Sequence, residues 1–139
     1  MYGFSREIED WFADYIGKCF EMSTKDHYDS VGFAREFLNS TWGSELLLED
    51  RIKEYESLPY MYAKAKKNLN LKKGETYDPY VMWMYGYLVK YWIYKNKTQP
   101  DIVWNTLPID RFENMFGFYH TQGWNYIICD AEKRYAGIK

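Results

Sequence analysis

The chain has only two cysteines, two histidines and four prolines among 139 residues, and each scarcity closes a route to function. Cys19 and Cys129 sit within apolar helical patterns and form no spaced framework. That suits a reducing cytoplasm with both thiols buried and free, and it argues against a disulfide scaffold. A zinc site from Cys19, His27, His120 and Cys129 is possible by ligand type, but the spacings are not those of the short loops that grip zinc, so no metal is expected. A Cys129–His120 nucleophilic pair within one helix is excluded, because that separation is about 13 Å of rise. Gly-rich phosphate loops are also lacking: Gly43, Gly74, Gly86, Gly117 and Gly123 stand alone.

A large excess of one sign of charge is lacking too. A net charge of −2 provides no global positive field to recruit nucleic acid or an anionic membrane. The acids Glu7, Glu9, Asp10, Glu49, Asp50, Glu54 and Glu56 fall on polar helix faces, where solvation rather than general acid–base work is expected. The start, Met1 to Glu7, becomes charged at once and has no apolar core of a signal peptide. The stretch from Tyr80 to Tyr94 is too short to span a bilayer, is rich in tyrosine and is interrupted by Lys90, so it reads as a buried helix. No enzyme and no cofactor are expected, and the location reads as cytoplasmic.

Aromatic residues are what the chain does have. They make up 21% of it, with 15 tyrosines, eight phenylalanines and six tryptophans. Tyrosine and tryptophan combine an apolar face with a polar tip, so a surplus suits interfaces as well as cores, self-association included.

The periodicity is helical throughout. Ser5 reads as an N-cap, followed by Ile8, Trp11, Phe12, Tyr15, Ile16, Cys19 and Phe20 at amphipathic spacing. Asp29 or Ser30 caps a second helix carrying Val31, Phe33, Ala34, Phe37 and Leu38. Trp42-Gly43 reads as a break, after which Ser44 caps a third helix with Leu47, Leu48, Ile52 and Tyr55. Pro59 fits the first turn of a piece that runs into a lysine-rich segment ended by Gly74. Asp78-Pro79 is a strong start signal for a helix to about Lys95, apolar nearly all round and therefore central. Gly86 in its middle implies close approach by another helix. A short helix holds Ile102, Val103 and Trp104; Pro108 opens another through Tyr119; Thr121 caps the last, with Trp124, Ile127, Ile128, Ala131 and Tyr135 in register. The expected fold is an all-α, single-domain bundle of six or seven helices around the central one, over residues 1–139.

Two features invite a functional reading. Lys64, Lys66, Lys67, Lys72 and Lys73 form one basic patch beside Tyr60 and Tyr62, a combination that can bind single-stranded nucleic acid. A solvated helix end, with cations near a helix C-terminus, is the favoured explanation because the remainder of the chain is acidic. The second is "FYHTQGWNY" (118–126), where His120 can hydrogen-bond open carbonyls at a helix end or contact a partner.

The segment "FGFYHTQGWNYIICDAEKRY" (116–135) resembles the helix–"HT(x)G"–helix ending of a group of small helical proteins. "MWMYGYLVKYWIY" (82–94) is similar to the "GYLYRYW" helix of a companion group, and "FAREFLNS" (33–40) extends the likeness loosely into the first half. Both groups occur in bacterial operons beside toxins of ADP-ribosyltransferase-like fold, as antitoxins or accessory components. Gly86, Tyr87, Leu88, Tyr91 and Trp92 match the central helix, and His120, Thr121 and Gly123 match the ending. Val89-Lys90 stands where the family has Tyr-Arg, and lysine lacks the bidentate fork of arginine. The resemblance implies a non-enzymatic partner that binds a cognate toxin and occludes its cleft. With the aromatic surplus, it points to Trp83, Tyr87, Tyr91, Trp92, Tyr119, His120 and Trp124 as partner-binding residues.

Overall fold

The computed structural model describes residues 2–49 and 57–135, with side chains from residue 11 onward. The side chains of Ser5, Glu7, Ile8, Glu9 and Asp10, and the expected helix positions Asp50, Ile52, Glu54, Tyr55 and Glu56, lie outside the described residues. Among the described residues the protein is all-α, with nine helices and a single isolated bridge between Tyr28 and Lys73. They are α1 (Tyr2–Lys25), α2 (Ser30–Asn39), α3 (Thr41–Leu48), α4 (Leu58–Asn68), α5 (Pro79–Asn96), α6 (Pro100–Thr106), α7 (Ile109–Asn114), α8 (Phe116–Tyr119) and α9 (Trp124–Arg134).

The caps explain where most helices start. Asp29, Ser40, Ser57 and Asp78 each accept a hydrogen bond from a first-turn N–H, of Gly32, Gly43, Tyr60 and Tyr80 respectively. Two starts differ from the sequence expectation. α1 begins at Tyr2, ahead of Ser5. α3 is capped by Ser40 rather than Ser44, so Trp42-Gly43 lies inside the first turn instead of breaking the chain. Glycine is required there because an added Cβ would lie only 1.9 Å from the Phe37 carbonyl oxygen. The helix expected from Pro108 to Tyr119 divides at Met115 (φ −95°, ψ 3°) into α7 and α8.

The core is organised around α5, whose most extensive packing partner is α1. Eleven residues of α5 are buried, including Met82, Tyr85, Leu88 and Trp92, so its apolar circumference is covered by neighbours. Opposite them stand Phe12, Ile16, Cys19 and Phe20 of α1, with Phe33 and Phe37 of α2 closing an aromatic cluster on Phe20. α1 and α5 approach closely because each contributes a glycine. A Cβ on Gly86 would sit 3.0 Å from the Cα of Gly17, and one on Gly17 would sit 2.7 Å from the Trp83 carbonyl oxygen. The same core cluster takes in Val103, Leu107, Ile109, Phe112 and Tyr119 and, from α9, Ile127, Ile128 and Ala131.

One cation is built into this apolar centre. Lys90 is 4% exposed; its ammonium lies 4.1 Å from the Phe12 ring centroid and donates to the carbonyls of Leu47 and Glu49, at the end of α3. The two thiols, both expected to be buried, differ. Cys19 is buried, and loss of hydration pushes its pKa up to about 12, whereas Cys129 is exposed on α9. Because thiolate is the reactive species, a thiol-specific chromogenic reagent at pH 8 should label one cysteine in the native protein and two in denaturant. Rapid native labelling of both would contradict this burial.

Candidate functional site

The helical period of α5 places Tyr80, Trp83, Tyr87 and Tyr91 along one side. Their rings form a continuous band. Tyr80 stacks on Trp83 (5.9 Å between centroids, 12° between planes), and Trp83 tilts onto Tyr87 at 5.3 Å. Trp124, the first residue of α9, stacks on Tyr87 at 4.5 Å and 13° and reaches both Trp83 and Tyr91 at 6.4 Å. Phe116 of α8 meets Tyr80 edge-on at 5.6 Å and carries the His120 ring stacked at 5.2 Å. These offset and edge-to-face arrangements are the preferred ones for aromatic quadrupoles.

Polar tips hold the band in place. The Trp83 indole N–H donates to Asp14 Oδ1 at 2.9 Å, and the other oxygen of Asp14 pairs with Lys18 at 2.9 Å. The Tyr91 hydroxyl donates to Asn125 Oδ1 at 3.2 Å, tying α5 to α9. Tyr80 is 50% exposed, and Trp83, Tyr91 and Trp124 are half-buried, so the band presents rings to solvent while anchored beneath. Phe118 and Tyr126, both exposed, pack edge-on nearby at 5.9 Å.

Of the seven aromatic and histidine positions suggested by the sequence, Trp83, Tyr91, Trp124 and His120 reach this face, and Tyr87, buried at 8% exposure, underlies it as the ring on which Trp124 stacks. Two do not. Trp92 is 2% exposed and Tyr119 is fully buried, so both are core residues with no surface to offer a partner. Tyr119 turns inward to donate to Asp130 Oδ2 at 2.6 Å, and Asp130 in turn receives Arg134. Hydrogen bonds from Arg134 and Tyr119 hold the Asp130 carboxyl below the usual carboxylate range. Burial, then the Asp130 carboxylate, push the Tyr119 phenol up.

His120 takes the corner role. Its Nδ1–H donates to the Phe116 carbonyl at 2.8 Å, at the end of α8. Thr121 does not cap α9. Its hydroxyl donates back to the Phe118 carbonyl at 2.8 Å, and Gly123 occupies the cap position in extended conformation. The sequence reading missed Tyr80, Phe116 and Asp14. Extending the stripe from Trp83 by one turn finds Tyr80, and a step of four back from His120 finds Phe116. Nothing local marks Asp14, because its partner is distant in sequence.

The basic patch divides between α4 and the segment after it. Lys64 and Lys66 lie over the rings of Tyr60 and Tyr62, and Lys73 over Tyr28. Asp26 gathers much of the charge: it accepts from the Tyr62 hydroxyl at 2.6 Å, pairs with Lys66 at 3.9 Å, and its backbone carbonyl accepts from Lys73. Burial and this carboxylate push the Tyr62 phenol up. Lys67 and Lys72 are exposed. Among the described residues no group of three His, Cys, Asp or Glu is placed to hold a metal, and no helix is long and apolar enough to cross a membrane. No known protein family, curated protein or solved structure matches the chain.

Proposed function

We propose that this chain is a non-enzymatic binding module that neutralises a co-encoded toxin by direct contact in the cytoplasm, docking through the aromatic face of α5 and α9. The observation that carries this reading is the band itself, from Tyr80 to Tyr91 with Trp124 laid across it. Binding energy concentrates on a few large, rigid aromatic anchors, and rings already stacked and hydrogen-bonded lose little freedom on association. The likeness of residues 82–94 and 116–135 to antitoxin-type helices supports the identity of the partner. The Asp26 carboxylate competes with nucleic acid for Lys66 on α4, the Asp26 backbone carbonyl engages Lys73 beyond it, and the overall charge of −2 opposes a polyanion, so a nucleic-acid role is not favoured.

Co-expression with the neighbouring gene product should yield a complex on gel filtration and rescue of growth. Tyr80→Ala and Trp124→Ala should each weaken that complex by about 30-fold, the loss of one interface hot spot. Tyr60→Ala, on the remote and equally exposed α4, should not. Absence of both complex and rescue would sink the reading. Far-UV circular dichroism separates lost contact from lost fold.

A further inference from the structure

A depression of about 560 Å³ continues the aromatic face at the start of α5, lined by Lys18, Glu21, Asp78, Pro79, Tyr80 and Trp83. Two of these lining residues, Tyr80 and Trp83, stack on each other. The charged groups of the depression are unequally committed. Lys18 is paired with Asp14, which also accepts from Trp83, so those three satisfy one another. Asp78 uses Oδ1 on the Tyr80 N–H and keeps its second oxygen, while Glu21 stands one turn beyond Lys18 on the same side of α1.

An anion is poorly served here, although a helix begins at this point. Pro79 has no N–H, the Tyr80 N–H is taken by Asp78, and two carboxylates remain once Lys18 is neutralised. A cation meets the opposite situation: two electron-rich aromatic rings and two carboxylate side chains line the depression.

We infer that this depression receives an arginine side chain of the docked partner. Its guanidinium lies against Tyr80 and Trp83, with N–H groups directed to Glu21 and Asp78; this assignment rests on the docking face proposed above. Arginine fits better than lysine because a planar, weakly hydrated fork stacks on rings and can serve two separate acceptors. The site would then set the partner's register, since an acidic side chain at the same place meets uncompensated like charge.

The probe is the peptide acetyl-Gly-Arg-Gly-amide, titrated into the ¹⁵N-labelled protein while the Trp83 indole N–H is followed. Saturable shifts at millimolar peptide are expected for Trp83, Tyr80 and Glu21, and none for the norleucine analogue. Glu21→Gln with Asp78→Asn should weaken binding by about tenfold; asparagine still caps α5, so the fold is kept. Equal shifts with norleucine, unchanged affinity in the double variant, or no saturable shift would each overturn the assignment. The co-encoded partner separates the two readings. If Trp124→Ala breaks the complex and the double variant does not, the docking face stands and the arginine site falls. If Trp124→Ala leaves the complex intact, the docking face falls, and the peptide titration decides the depression alone.

Discussion

Gly17→Val should cost about 3 kcal/mol of stability, the upper end for overpacking a well-filled contact. An added Cβ would lie 2.7 Å from the Trp83 carbonyl oxygen and 2.8 Å from the edge of its ring. The oxygen belongs to the backbone of α5, so relief requires the two principal helices of the core to separate. In a chain of this length the melting temperature should fall by roughly 10 °C. Gly86→Ala is the informative comparison. Its Cβ would meet the Gly17 Cα and the Phe20 ring at 3.0 Å, a crowding that a small shift relieves. Removing a mid-helix glycine returns about 1 kcal/mol in propensity, so the net change should be near zero. Urea unfolding midpoints measure both. Equal tolerance of both substitutions would mean that α1 and α5 do not cross this closely. Gly17→Val should also displace the Trp83 indole and so weaken partner binding beyond what stability alone explains.

Lys90→Ala is expected to be comparably damaging, at about 3 kcal/mol or more. Two effects oppose each other at this position. Burying an ammonium costs hydration, so an apolar residue of similar volume removes that cost. Against this, Lys90 supplies donors to the carbonyls of Leu47 and Glu49 at the end of α3, and the Leu47 bond is buried. Removing a lysine leaves that carbonyl without its donor and a cavity against Phe12, both unfavourable. Lys90→Met separates the contributions: it refills the volume but donates nothing, and should lose about half as much as alanine. Thermal melts of the two variants provide the comparison. A methionine variant as stable as the parent would show that the carbonyl contacts contribute nothing net.

How much of this was legible beforehand depended on whether the cause was local. The starts of α2 and α5 follow from Asp29-Ser30 and Asp78-Pro79, because a cap acts within one turn of its own residue, and Pro59 marks the first turn of α4, whose cap Ser57 the sequence did not single out. The centrality of α5 follows from its apolar circumference, and Gly86 does mark a close approach. Caps without a distinctive neighbour were misplaced. Thr121 and Ser44 are chemically able to cap, but Gly123 and Ser40 hold the positions where the chain actually turns.

The candidate site shows the same division. Helical spacing alone places Trp83, Tyr87 and Tyr91 on one side of α5. It cannot decide which side is covered, so Trp92, one residue beyond Tyr91, was grouped with the surface aromatics and proves to be core. Tyr119 and Cys129 exchanged their expected environments for the same reason: a helix pattern states phase, whereas burial depends on which neighbour arrives.

The sequence by itself therefore determined an all-α chain, the span of its central helix, the abundance of aromatic residues and the absence of a strong field of either sign. These are consequences of composition, period and local hydrogen bonding. Only the tertiary structure decided that Gly17 faces Gly86, that Lys90 holds the end of α3, that Asp14 and Lys18 fix Trp83, and that Tyr80 and Trp83 line one depression with Glu21 and Asp78. Each joins residues tens of positions apart, and such a pair is selected by packing of the whole core rather than by any stretch of chain.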